Sequence, residues 1–411
     1  MNSGVAHHLS NFRVLTHVIG PRPLGSPGWE RARRHIKQVL GSLDLEFEVF
    51  RFRLSLLSPS QAEVRIFTTG WKSIPCRGLL GSPSCRDLEG ELRFVKFGKE
   101  EDYGSAQVSG SPVVVLAALG KIPVAEKARI AARRGAAALL LFPICSADRV
   151  PVVASFGEAP LPTLSIGSAD ASGLAQPGVK ARISVASERH EFACENIFVP
   201  LGDGEPSCLL AAHYDAGPIQ MGCQGSAMGT AVLLALLATF RGGKVPGRLT
   251  AAFFDAEELI SAGSGLYFEF LESNGLIGEL ALAVDLNDLG SGGPLSVVVR
   301  DERYGPASRL AIRLHQALVR GGLQASVKTT ALGARVEMAS YPTGLPLLAL
   351  TGGDQGRQGL DPHLTSQLVE ALDRVLAGSS PSGTGPDKRG EDTATAPEAR
   401  QTRTLTVSGI L

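Results

Sequence analysis

From residue 208 to residue 376, short apolar runs alternate with longer stretches whose apolar residues recur at helical spacing. Strands are expected at Cys208–Ala212, Arg248–Asp255, Leu280–Leu286 and Pro346–Thr351. Helices are expected at Gly229–Phe240, Gly265–Ser273, Ala307–Arg320 and Thr365–Leu376. Unbroken apolar strands separated by helices imply an α/β fold, a mostly parallel sheet flanked by helices. In such a sheet the ligand crevice lies beyond the carboxyl ends of the strands. The polar residues just after each strand are therefore the informative ones.

Upstream the pattern differs. Residues 10–40 read as helix, turn and helix, the turn being Gly20-Pro21-Arg22-Pro23-Leu24-Gly25-Ser26-Pro27-Gly28. Trp29, Ala32, Ile36, Val39 and Leu40 follow at helical spacing. Glu46–Phe50 and Ala62–Phe67 alternate like two half-buried strands. Within residues 71–187 the runs are shorter: a strand at Val113–Leu116, an amphipathic helix from Glu126 closed by Gly135, and strands at Ala136–Phe142 and Leu161–Ile166. That is a small α/β unit in its own right. The expected organisation is 1–70 and 188–378 as parts of one larger domain, 71–187 as an inserted domain, and 379–411 as a disordered tail rich in Ser, Thr, Gly and Pro. The last residues, Leu405–Leu411, also suit a strand or a short docking peptide.

Composition narrows the function classes. Lys plus Arg and Asp plus Glu both total 40, so the formal net charge is zero. A charge-driven binder of nucleic acid or of a membrane surface is not expected. The 44% hydrophobic fraction with 19% charge belongs to a folded chain. The apolar stretch Thr230–Phe240 is shorter than the roughly 20 residues that span a bilayer. Met1–His8 lacks the basic and apolar segments of a signal peptide. The six cysteines (76, 85, 145, 194, 208 and 223) form no Cys-x-x-Cys pair and read as reduced packing residues. A cytoplasmic protein is the expectation.

Three strand ends carry chemistry: Ala212-His213-Tyr214-Asp215, Phe253-Phe254-Asp255-Ala256-Glu257-Glu258, and Val284-Asp285-Leu286-Asn287-Asp288. Imidazole and carboxylates converging at one sheet edge suit zinc. In His-x-Asp the carboxylate can hold the second ring N–H and fix the tautomer. In Glu-Glu, one carboxylate can bind metal while the other serves as general base. Taken singly, each signal has a plain structural explanation: a histidine satisfied in the core, or an acidic pair complementing a helix dipole. Their joint order on an alternating pattern is more specific.

At these residues the chain resembles the co-catalytic zinc aminopeptidases, whose relatives include glutamate carboxypeptidase and the transferrin receptor. The resemblance rests on His213-Tyr214-Asp215, Gly222 and Ala227–Ala231, Phe253–Glu258, Gly263-Ser264 and Gly344-Leu345-Pro346. Gly20–Ser26 is similar to that family's opening segment, and residues 71–187 resemble the protease-associated domain inserted in such enzymes. The resemblance implies His213 as a metal ligand, Asp215 as its orienting carboxylate, Glu257 as the base and Glu258 as a second metal ligand. It also exposes departures. Gly225 falls at the metal-bridging Asp, Asn287 at a further ligand with Asp285 and Asp288 beside it, and the late ligand His has no counterpart. His363 aligns with the start of the final helix. A glycine cannot screen two mutually repelling zinc ions, and zinc takes three or more protein ligands. At most one zinc is expected, on His213, Glu258 and a shifted Asp285 or Asp288. The leading expectation is thus a peptidase-like protein with weak or no activity, reused to bind a peptide or peptide-like ligand. The alternatives are an active zinc aminopeptidase with a rearranged site, and a scaffold without ligand.

Overall fold

The computed structural model describes residues 10–104, 112–144, 150, 158–204, 207–216, 223–240, 247–258, 261–286, 289, 295–301, 305–329, 341–342, 345–351, 362–377 and 404–406. Helices in chain order are α1 (Val14–Ile19, a π-helix), α2 (Pro27–Ser42), α3 (Val124–Arg133), α4 (Ser168–Ser172), α5 (Cys223–Phe240), α6 (Ala262–Ser273), α7 (Pro306–Arg320) and α8 (Pro362–Ala377). Strands are β1 (Glu48–Phe67), β2 (Trp71–Ile74), β3 (Cys76–Gly78), β4 (Cys85–Phe94), β5 (Val113–Ala118), β6 (Ala138–Phe142), β7 (Thr163–Ile166) and β8 (Lys180–Leu201). They continue as β9 (Ser207–His213), β10 (Arg248–Phe254), β11 (Leu280–Asp285), β12 (Leu295–Arg300), β13 (Ala325–Thr329), β14 (Leu347–Thr351) and β15 (Thr404–Thr406).

The chain packs as two compact units, Met1–Phe52 with Cys194–Ser408, and Arg53–Ala193 with Gly409–Leu411. In the first unit the strand order is β13-β12-β14-β11-β9-β10-β8. Its centre, β14-β11-β9-β10, is parallel throughout, while β12 and β8 join it antiparallel. The expected mostly parallel sheet is therefore present. Parallel strands bury both faces, and β9, β10, β11 and β14 are accordingly apolar almost end to end. Helix α5 is buried nearly all round from Ser226 to Leu237. Its Gly229 is required: a Cβ there would lie 2.2 Å from the Leu286 carbonyl oxygen. Helix α2 starts where its sequence directs, with the Ser26 hydroxyl accepting from the Trp29 N–H at 3.2 Å and Pro27 in the first turn.

The second unit orders its strands β8-β4-β5-β6-β7-β3, with β4, β5, β6 and β7 parallel. Val114, Leu116 and Leu140 pack with Leu164 and Ile183. Val115, Leu139 and Leu141 pack with Ala128, Ile130 and Ala131 of α3. Helix α3 ends as its sequence indicates: Gly135 has φ +85°, the Ala136 N–H reaches the Ala131 carbonyl and the Gly135 N–H the Ala132 carbonyl, a Schellman cap.

Three expectations differ from the structure. The two strands expected at 46–50 and 62–67 are one strand of 20 residues, because buried Phe50, Phe52, Leu54 and Leu56 carry the alternation onward. The units meet inside β1 and β8, at 52/53 and 193/194, whereas the change in residue pattern placed the borders at 70/71 and 187/188. Within the tail, Thr404–Thr406 pairs in parallel with Val49–Arg51 as β15; 378–403 and 407–411 lie outside the described residues. No helix among the described residues is long and apolar enough to cross a membrane.

Candidate active site

Strands β9 and β10 lie side by side with His213 level with Phe254, so the residues just beyond both strands emerge at one edge. The His213 Nδ1 lies 3.1 Å from Asp215 Oδ1. A carboxylate only accepts, so Nδ1 carries the proton, and any metal-binding role falls to Nε2. Asp215 Oδ2 in turn accepts the Glu258 N–H at 3.0 Å. The two strand ends are thereby joined through one carboxylate.

The turn after β10 is built around Asp255, which is completely buried. Its Oδ1 accepts from Trp29 Nε1 at 2.6 Å and from the Ala256 N–H at 2.8 Å, and its Oδ2 from the Glu195 N–H at 2.8 Å. Ala256 has φ +53°, an uncommon value for a residue with a Cβ. That turn points Glu257 inward, where both its oxygens are taken by Ser264: Oγ donates to Oε1 at 2.5 Å and the N–H to Oε2 at 3.1 Å. Helix α6 can come this close because of Gly263, where a Cβ would lie 2.2 Å from the Asp255 carbonyl oxygen.

Burial and mutual charge set the protonation states. Burial pushes Glu257 up to about 7, against the Ser264 hydrogen bond and the positive His213. Asp255 rises to about 7 for the same reason, with the charge of Asp215 adding to it. Burial alone would lower His213, but the hydrogen bond and charge of Asp215, with Glu258 and Glu257, carry it up to about 9. His213 is thus held protonated at neutral pH.

Of the residues singled out by sequence, the structure brings His213, Asp215, Glu257 and Glu258 together. Asp285 sits on the neighbouring strand β11, buried and level with Ala211, two residues short of His213. Asn287 and Asp288 lie outside the described residues, as do Gly222 and the side chain of His363 in the first turn of α8. Gly225 lies in the first turn of α5. The motifs include Ser264 and Asp255, but their roles as partner of Glu257 and anchor of the turn emerge only in the structure. Among the described residues no three His, Cys, Asp or Glu side chains converge closely enough to hold a metal ion. His213, Glu258 and Asp285, expected to share one zinc, thus do not converge on a common point.

A parallel-centred sheet with a histidine–carboxylate pair and a buried glutamate at its strand ends defines an α/β protein with a candidate active site. Residues 196–331 match the model of Peptidase family M28. The structure is similar to the aminopeptidase from Aneurinibacillus sp. strain AM-1, with a TM-score of 0.70 and 21% identity over 91% of this chain and 92% of that one. It is similar too to a zinc aminopeptidase from Bacillus subtilis, with a TM-score of 0.64 and 20% identity over 91% and 93%. In sequence it is 25% identical over 305 residues to the probable lipoprotein aminopeptidase LpqL of Mycobacterium tuberculosis, covering 70% of this chain and 59% of that protein. It is 24% identical over 277 residues to aminopeptidase YwaD of Bacillus subtilis, covering 66% and 59%. The match thus spans 59% of the length of each of these two relatives. The chain thus shares the fold of these zinc aminopeptidases, and its segment 196–331 matches Peptidase family M28.

Proposed function

We propose that this chain keeps the aminopeptidase fold with an incomplete metal site, has weak or no peptidase activity, and binds a peptide or peptide-like ligand at the strand-end crevice. One observation carries the reading: from Ala216 to Phe254 the sequence contains no Asp or Glu, and Gly225 stands where the family resemblance puts the bridging Asp. Without a shared carboxylate, two adjacent zinc ions repel. The lost bridge lowers the expected complement to one zinc at most, and since His213, Glu258 and Asp285 do not converge, such an ion would need Asp288 beside His213 and Glu258. Residues 71–187 are read within this proposal as a protease-associated module, supported by the helix, glycine and strand of Val124–Phe142.

A second reading, an active aminopeptidase with a rearranged site, is favoured by the intact His213–Asp215 pair and by Glu257 held through both oxygens. Counting zinc separates the two. Protein purified without chelator is incubated with zinc, desalted and analysed by elemental mass spectrometry, then assayed on a panel of aminoacyl-anilides. Fewer than two zinc ions per chain and no hydrolysis support the proposal. Hydrolysis that disappears with chelator and in Glu257→Ala overturns it, and two ions per chain would do the same.

A further inference from the structure

The opening turn Gly20–Ser26 carries an arginine that reaches the backbone of the site. Arg22 is completely buried. Its Nε donates to the Tyr214 carbonyl at 2.8 Å, and its own carbonyl accepts the Ala216 N–H at 3.1 Å. Nη2 donates to Ser226 Oγ at 2.9 Å, one residue beyond Gly225 on α5. Nη1 donates to the Leu15 and Gly20 carbonyls at 2.8 and 2.9 Å, anchoring the fork to α1 and its exit.

Tyr214 is the residue between His213 and Asp215. Its N–H is held by the Phe254 carbonyl at 3.2 Å, and the His213 carbonyl is held by Thr230 Oγ1 at 2.8 Å. Arg22 supplies a further grip, on the carbonyl that sets the turn between the imidazole and its carboxylate. A planar guanidinium reaches three directions at once, which a single ammonium cannot do. A fully buried cation is stable there only because carbonyl and hydroxyl oxygens surround it.

We propose that Arg22 is a positioning residue for the His213–Asp215 pair: by holding Tyr214, Ala216 and Ser226 it keeps the imidazole in line with its carboxylate. This role goes beyond the proposed function and holds with or without zinc. It is tested on metal-free protein, through the far-downfield proton resonance of the His213 Nδ1–H, assigned by its loss in His213→Asn. In Arg22→Lys and Arg22→Gln, exchange of that proton with water should speed up by about tenfold or more, as when buried hydrogen bonds open locally. Millimolar guanidinium, but not ammonium, should restore the resonance in Arg22→Ala. Lys127→Met, in the other unit, should leave it unchanged, which separates positioning from general loss of stability. If the Arg22 variants do not fold, Ser226→Ala carries the test, with a rise of about twofold or more from losing one contact. Wild-type exchange in Arg22→Lys and Arg22→Gln overturns the proposal, as does wild-type exchange in Ser226→Ala.

Discussion

Among the described residues each unit contains one Arg or Lys with no exposed surface, Arg22 in the first and Lys127 in the second. Lys127, on α3, donates its Nζ to the Phe97 carbonyl and, at 2.8 Å, to the Gly120 carbonyl, tying two loops together. Burial pushes its ammonium down to about 8, with Asp102 and Glu126 opposing only in part. Arg22 holds four acceptors on three segments and keeps its charge at any accessible pH. Both residues staple backbone to backbone, but lysine can shed the charge whose burial is costly, whereas arginine is stable only while its donors stay engaged. The dischargeable staple sits under loops of the second unit. The permanent one sits behind the strand end that carries His213.

The contrast can be broken by removing each cation. Arg22→Met strands several buried acceptors and should cost about 3–5 kcal/mol, read by denaturant unfolding of the first unit. Lys127→Met removes the desolvated ammonium along with its bonds and should cost about 1–3 kcal/mol. Equal losses would erase the distinction. The glycines beneath each staple sharpen it. At Gly28 a Cβ would lie 2.0 Å from the Pro21 carbonyl oxygen, beside Arg22, so Gly28→Ala should cost about 2–3 kcal/mol by forcing backbone to move. Gly98, next to Lys127, has φ +71° and looser surroundings, and Gly98→Ala should cost about 1–2 kcal/mol from the left-handed conformation alone.

The smallest effect is a pair of opposite pH slopes, measured by hydrogen exchange in each unit of chelator-treated protein. Lys127 sits near 8 when folded, below its ordinary 10.5, so the unfolded chain binds more protons between those values. The Lys127 contribution to the second unit, read as the difference between wild type and Lys127→Met, should grow as pH rises through that window, while the raised Cys76 and Cys85 thiols act in the opposite sense. In the first unit, Asp255 and Glu257 near 7 and His213 near 9 all lie above their ordinary values of 3.8, 4.5 and 6.5. There the folded state binds more protons, and stability should fall as pH rises from about 4 to about 9. Parallel slopes between pH 8 and 9 would show that the two sets of buried groups do not titrate as their surroundings dictate.

Much of this architecture was legible in sequence because it is local. Continuous apolar runs located β9, β10, β11 and β14 to within a residue or two, and the residues after them supplied His213, Asp215, Glu257 and Glu258. Helix α5 starts six residues before its expected beginning at Gly229, since its first turn, Cys223–Ser226, is not apolar. Strand β13 escaped notice because four of its five residues are exposed and leave no apolar run to read. The roles of Ser264 and Arg22 were illegible for another reason. Arg22 lies 192 residues from Tyr214 and 204 from Ser226, so no spacing within a motif reports the contact.

That separation has a consequence for synthesis. When Arg22 leaves the ribosome, none of its acceptors beyond residue 20 exists, and the second of them, Ser226, follows 204 residues later. At roughly 5–20 residues per second the guanidinium waits about 10–40 seconds. In the interval Arg53–Ala193, whose strands and helix are near neighbours in the chain, can already close its own core. The first unit therefore finishes folding around residues made before the second unit began.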